Sequence, residues 1–217
     1  MLSVRAKALR TSLFLLVALA AWVVALSRPT EQTQRGRGNA SAAGRAEGLA
    51  AWQKVYSVLT HPRCINCHTA TNYPQQGDDR HRHFANVVRG PEGQGVPGLN
   101  CATCHQTANA DSTGVPGAQG WHLAPLSMAW QDRDDRVLPS AAVCRAVTDR
   151  SKNQNLDGPG LLKHHAEDAI VRWAWQPGQR PDGTMRVLPP LTHEEFVVAT
   201  RRWVESGTPC PPALPRR

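Results

Sequence analysis

A mainly α, loop-rich fold is what this 217-residue chain predicts, with one compact domain following a short leader and a linker. Three observations predict it. Apolar residues spaced three and four apart recur, but only in a few short segments. Seventeen Gly and 17 Pro punctuate the sequence between those segments. No stretch alternates apolar and polar residues in the manner of a strand. The hydrophobic content, 41%, is ordinary, yet three Phe and two Tyr leave seven Trp to supply most of the aromatic bulk. Such a chain buries a thin core, so something other than side chains is expected to fill part of its centre.

The first element sets the compartment. "MLSVRAKALR" carries Arg5, Lys7 and Arg10 and no acid, and an apolar run from Leu13 to Leu26 follows. A basic segment before a short apolar run reads as an export signal. The run is shorter than the roughly 20 residues of a typical spanning helix. Residues 1–27 are therefore expected to be a signal peptide, with Ala25-Leu26-Ser27 as a tolerable cleavage site, or else an N-terminal membrane anchor. Either way the remainder is exported to the periplasm, soluble or tethered to the inner membrane. Losing residues 1–27 removes three of the 25 basic residues and none of the 17 acids, so the net charge falls from +8 to +5. No basic helix interleaved with aromatics accompanies that charge, which argues against a nucleic-acid partner.

Residues 28–48, "RPTEQTQRGRGNASAAGRAEG", are polar, small and Gly-rich, and read as a flexible linker. A helix is expected from Leu49 to Thr60, with Leu49, Trp52, Val55, Tyr56 and Leu59 on one stripe and His61-Pro62 as its end. From Thr69 to Asn100 the chain is loop-like, and loops this long inside a compact domain tend to be functional. Helix returns late. Ser140 is placed to cap a short helix reaching Asp149, and Pro159 stands in the first turn of "GLLKHHAEDAIVRWAW". There Leu162, Ala166, Ala169 and Trp173 form the apolar stripe, with His165 at its edge and His164 nearly opposite. Thr192 to Glu195 is a capping box for a helix ending near Ser206, with Gly207 as its stop. Residues 49–217 are expected to form a single domain.

The chemistry lies in two copies of one device. "CINCH" at Cys64–His68 returns as "CATCH" at Cys101–His105, 37 positions later. In Cys-x-x-Cys-His, two thiols about one turn apart can form thioethers to the vinyl groups of one haem, and the adjoining His reaches its iron. Cys64, Cys67, Cys101 and Cys104 are thus the expected attachment points of two covalently bound haem c groups, with His68 and His105 as proximal iron ligands. A zinc ribbon would not require the histidines. A thioredoxin-like pair would not repeat, and paired disulfides explain neither His. The expected architecture is a compact dihaem cytochrome c domain in which covalent haems form much of the core. Thirty-seven residues are too few to complete one haem domain before the next begins, so the two haems should share walls.

Ligands for the opposite faces are sought among His61, His81, His83, His122, His164, His165, His193, Met128 and Met185. His83, in the loop between the pentads, is expected to serve the first haem, and Met128, in "WHLAPLSMAW", either one. His122 and His165 are alternates. His61, His193 and Met185 fall at a helix end, a cap and a polar turn and are set aside. Cys144 and Cys210 are expected to form a disulfide in an oxidising compartment, the alternatives being two free thiols or a thiolate iron ligand.

The segments "HPRCINCH", "QGDDRHRHFANVVRGPEGQGVPG", "CATCHQTAN", "VPGAQGWHLAPLSMAW" and "DAIVRWAWQPG" together resemble the small dihaem c-type cytochromes that form a subunit of isoquinoline 1-oxidoreductase. The similarity runs from about His61 to Pro211. The resemblance implies an electron acceptor for an exported molybdenum hydroxylase, and it implies haem attachment and proximal ligation at the six pentad residues. No molybdopterin-binding pattern is present. The expected function is therefore an electron relay from a partner dehydrogenase or molybdenum hydroxylase towards a respiratory acceptor, a non-catalytic subunit of an oxidoreductase complex. The rival is a haem enzyme, such as a dihaem peroxidase or a thiosulfate dehydrogenase-like oxidoreductase, which would need an open sixth position on one iron. A haem-based sensor would need an output domain, and none is visible.

Overall fold

The computed structural model describes residues 31–213, with side chains described from residue 41 onward. The segment expected to be a signal peptide or anchor lies outside the described residues. Among those described, no helix is long and apolar enough to cross a membrane. Both pentads lie in one compact unit that begins at Gly44.

Helices dominate the regular structure. The first, α1, spans Glu31–Leu59, so the stretch expected to be a linker is helical from Glu31 onward. Its Glu, Gln, Arg and Ala residues are good helix formers, and they outweigh four scattered glycines. Ala51, Trp52, Val55, Val58 and Leu59 are the buried face of α1. Tyr56, on the margin, donates its hydroxyl to the Leu138 carbonyl at 2.7 Å. Gly48 is needed where it stands, because a Cβ there would meet Pro209 Cγ and Ser206 Cβ at 2.6 Å.

A one-turn helix, α2 (Pro62–Ile65), follows, with His61 as its cap: the His61 ring accepts the Arg63 N–H at 3.3 Å. Helix α3 covers Ser140–Thr148, but Ser140 does not cap it. The cap position is Pro139, which offers no side-chain bond, and the Ser140 hydroxyl instead accepts the Trp52 indole N–H at 2.8 Å. Helix α4 (Gly158–Glu167) starts on Asp157, whose carboxylate accepts the Gly160 N–H. Asp168 then ends α4 and caps α5 (Ala169–Trp173) through the Ile170 and Val171 amides. The single late helix expected is thus two. Of the expected stripe Trp173 is buried, Leu162 and Ala166 are half-buried and Ala169 is exposed, because the chain turns at Asp168; Leu161, His165 and Ala174 are also buried. Helix α6 (His193–Glu205) has the capping box read from the sequence, Thr192 with Glu195, and Gly207 follows at φ +81°.

These helices close an apolar core of their own around Trp52, Val55, Ile65, Val143, Phe196 and Trp203. Each such side chain contributes about 1.5–3 kcal/mol by leaving water. The Trp52 and Trp203 rings stack at a tilt, centroids 4.8 Å apart. A disulfide between Cys144 and Cys210 ties α3 to the C-terminal segment, Cα atoms 5.6 Å apart.

Residues 66–137 are loop with two minimal hairpins and three short 3-10 turns, Phe84–Asn86, Cys101–Thr103 and Leu126–Met128. Strands β1 (Gln75–Gln76) and β2 (His81–Arg82) pair antiparallel, as do β3 (Gly95–Val96) and β4 (Leu99–Asn100). The deficit of apolar mass expected from composition is concentrated here, where Asn66, Thr69, Thr71, Gln75, Arg89 and Gln131 are buried. Buried polar groups are costly unless satisfied; Asn66 Oδ1 and Gln75 Oε1 have no partner among the described residues, but the larger groups do. Arg89 donates to the Thr69 carbonyl at 2.8 Å, to the Thr71 carbonyl at 3.3 Å and to the Ala124 carbonyl. Gln131 donates to Thr69 Oγ1 at 2.7 Å and to Asp135 at 2.9 Å. Asp78, in the β1–β2 turn, pairs with both Arg63 and Arg180 and so links that turn to α2 and to the loop after α5.

Candidate functional site

The two pentads fold alike. In the first, Cys64 sits on α2, and the amides of Cys67 and His68 both donate to the Cys64 carbonyl, at 3.1 and 3.2 Å. In the second, Cys101–Thr103 is a 3-10 turn capped by Asn100, whose side chain accepts the Ala102 N–H. The amides of Cys104 and His105 donate to the Cys101 carbonyl at 3.2 and 2.9 Å. Each pentad is thus one tight turn that brings two thiols and an imidazole together.

Each imidazole is then oriented in the same way. His68 donates its Nδ1–H to the Met128 carbonyl at 2.7 Å. His105 donates its Nδ1–H to the Pro116 carbonyl, also at 2.7 Å. A carbonyl only accepts, so the proton is on Nδ1 in both rings and the Nε2 lone pair is left free. An indole lies flat against each ring: Trp130 on His68 with centroids 3.5 Å apart, and Trp121 on His105 at 4.6 Å. Outer-shell carbonyls that fix tautomer and orientation are how proteins prepare histidines for a metal.

The electrostatics favour neutral rings. Burial pushes the His68 pKa down to about 3, against the opposing pull of its bond to Met128, with His164, Arg89 and His122 adding to the depression. Burial also lowers His105. Burial first, and Cys67 second, push the Cys64 thiol up to about 12. Cys67 rises to about 11 through burial and then through Cys101, so the two pentads are within electrostatic reach of each other. All four pentad cysteines are free thiols, Cys104 the exposed one.

Each pentad faces its own cavity. The first is lined by Cys64, Cys67 and His68 together with His164, His165 and Phe196. The second is a cleft over His105 and Trp121 with polar walls that include Gln94, Asn100 and Gln106. Among the described residues no three His, Cys, Asp or Glu side chains converge as a metal-binding cluster. The donor set at each pentad, two thiols and one unencumbered imidazole nitrogen, fits a thioether-linked haem, whose porphyrin brings four of the iron's ligands with it; in the first pentad both thiols line the cavity, whereas in the second only His105 and Ala102 do.

The candidates for the opposite faces are redistributed. Met128 meets His68 through its carbonyl oxygen, and its side chain is buried in the apolar core beside Trp130. Met128 thus orients the first histidine through its main chain, and its side chain is not among those lining the first cavity. His83, expected beside the first pentad, lies instead next to His105, ring centroids 5.8 Å apart. His122 donates its Nδ1–H to the Gly120 carbonyl at 2.6 Å and lies near enough to lower the pKa of both His68 and His164. His165 lines the first cavity but is engaged by the Thr200 hydroxyl at 3.0 Å, and burial takes its pKa to about 3. His164, set aside on periodicity, lines the same cavity. The stacked indoles Trp130 and Trp121 were also missed. An aromatic far along the chain carries no sequence mark that it will lie on a particular imidazole.

Comparison with protein-family models, with curated proteins and with solved structures finds no match for this chain.

Proposed function

We propose that this chain is an exported dihaem c-type cytochrome. On this reading it relays electrons from a partner dehydrogenase or molybdenum hydroxylase towards a respiratory acceptor. The observation that carries the reading is the duplicated orientation of His68 and His105: each follows a Cys-x-x-Cys pair in one tight turn, donates Nδ1–H to a main-chain carbonyl at 2.7 Å and keeps Nε2 free. Cys64 and Cys67 would hold one haem and Cys101 and Cys104 the other, and the bound haems would supply reversible one-electron chemistry.

The chain's own contribution is positioning and screening. Trp130 and Trp121 restrict the rotation of the two imidazoles by stacking. Arg89, held by three carbonyls, keeps the loop from Thr69 to Thr71 closed against Ala124 behind the first pentad. Leu59, Val171 and Phe196 exclude water from the first cavity, and a low local dielectric there disfavours whichever iron state carries more net charge. The polar second cleft does so less. The two sites are therefore expected to differ in potential, as a relay with direction requires.

The test is a pyridine haemochrome assay on the full chain matured in a host that attaches haem c, with spectra of both oxidation states. Two covalent haems, low-spin and inert to peroxide, are the expected result. None, or zinc in their place, sinks the proposal. A peroxide-reactive high-spin haem transfers it to the haem-enzyme class.

A further inference from the structure

We infer that His83, carried on the loop between the two pentads, is the iron ligand opposite His105, so that the second haem is bound by two imidazoles. The inference rests on the cytochrome reading and names the one residue that completes its second site. Two imidazoles on opposite sides of one metal, each about 2.0 Å from it, have ring centroids about 6 Å apart. The His83 and His105 rings stand 5.8 Å apart and are turned 69° from parallel. The rings therefore meet edge to face, not stacked, and one flat face of His105 is taken by Trp121.

The protonation pattern agrees. His83 donates its Nδ1–H to the Phe84 carbonyl at 2.7 Å, which leaves Nε2 as the free lone pair, as in His68 and His105. The ring is also held in place by its backbone. The His83 amide donates to the Pro74 carbonyl at 3.0 Å, which extends the β1–β2 pairing by one residue. The Phe84 amide is taken by the Gln76 side chain at 3.0 Å. Immediately beyond, Ala85 and Asn86 adopt left-handed backbone angles, φ 60° and 51°. Such a conformation is unfavourable for alanine, and strain of this kind marks places where the chain is held for a purpose. The loop that follows the first pentad thus reaches across to the second. Such a crossing accounts for the short interval between the pentads, because the first needs only to reach its neighbour's open face. An iron closed on both sides by imidazole has no free position for peroxide, and its potential lies below that of a His/Met iron.

The experiment compares wild type with His83→Ala, both as full chains matured with haem. Both should contain two covalent haems. In the variant, one of two low-spin signals should become high-spin and bind carbon monoxide, and added imidazole should restore it. In a Cys64→Ala/Cys67→Ala background, which keeps only the second haem, His83→Ala should convert the whole signal. Should the alanine variant fold poorly, His83→Met should keep one haem low-spin with a thioether charge-transfer band and a raised potential. Two haems that remain low-spin and inert to carbon monoxide in His83→Ala, or an unchanged spectrum in His83→Met, overturn the ligand assignment and leave the cytochrome reading intact. A wild type without haem overturns both.

Discussion

The first and second pentads use the same turn, the same histidine tautomer and the same indole support, yet their surroundings differ. The first is built against the apolar core: Ile65 within it is fully buried, and Trp130 is 4% exposed. The second stands on a polar loop, with Cys104 exposed and Trp121 only partly covered. Its supports are hydrogen bonds. Asn109 accepts from the Trp173 indole at 2.9 Å and from the Gly117 amide at 3.0 Å, and donates to the Gln176 carbonyl at 2.8 Å. The difference teaches that a five-residue signature specifies the donor geometry, whereas the environment that tunes it is contributed by distant segments.

Removing the two stacked indoles is the largest way to test that contrast. Trp130→Ala should cost about 3–5 kcal/mol, as truncation of a core aromatic does. Trp121→Ala should cost only ~1–2 kcal/mol, because water already reaches part of the ring. Denaturant unfolding of both variants measures this, and equal losses would erase the distinction between a packed and an exposed pentad.

The disulfide offers the next effect. Cys144→Ser with Cys210→Ser opens a closure between residues 66 positions apart, for which chain entropy gives about 4 kcal/mol. Because α3 packs in the same core as Ile65, hydrogen exchange should quicken at 62–68 more than at 101–105. The reverse order would mean that the first pentad does not depend on the helical core.

A smaller change should leave the contrast untouched. Thr192→Ala removes the cap of α6, and a loss of about 1 kcal/mol is expected, with identical exchange ratios at the two pentads. The smallest effect is one of pH. Glu195 accepts hydrogen bonds from the Thr192 amide and hydroxyl, which hold its carboxyl below the ordinary value of 4.5. The stability this contributes is complete at neutral pH and disappears as pH falls through the lowered value. The gap between wild type and Thr192→Ala should therefore narrow in acid without closing, because the Glu195 N–H to Thr192 hydroxyl bond does not titrate, and a gap unchanged with pH would refute the link.

Local signals were legible wherever the partners lie within a turn of each other. The capping box at Thr192 and the stop at Gly207 needed no knowledge of the fold. Ser140 misled because its hydroxyl is claimed by Trp52, 88 residues away. The stripe over residues 162–173 held at Trp173 but broke at Ala169, because Asp168 caps a second helix and turns the chain there. Residues 31–48 misled because glycine frequency was weighed above the helix formers around it.

The spacing of thiol, thiol and imidazole was determined by the sequence alone, since five consecutive residues in one tight turn have few ways to arrange themselves. So were α6 with its cap and the general preponderance of helix and loop. Which carbonyl receives each imidazole, which indole covers it and which pentad His83 lies beside were decided by the tertiary structure. Met128, Trp130, Pro116, Trp121 and His83 reach the pentads across 11 to 62 positions of chain, and the His83 ring arrives at the second pentad rather than the first. Contacts at that range follow from how loops close over a packed core, and no local pattern of residues encodes that closure.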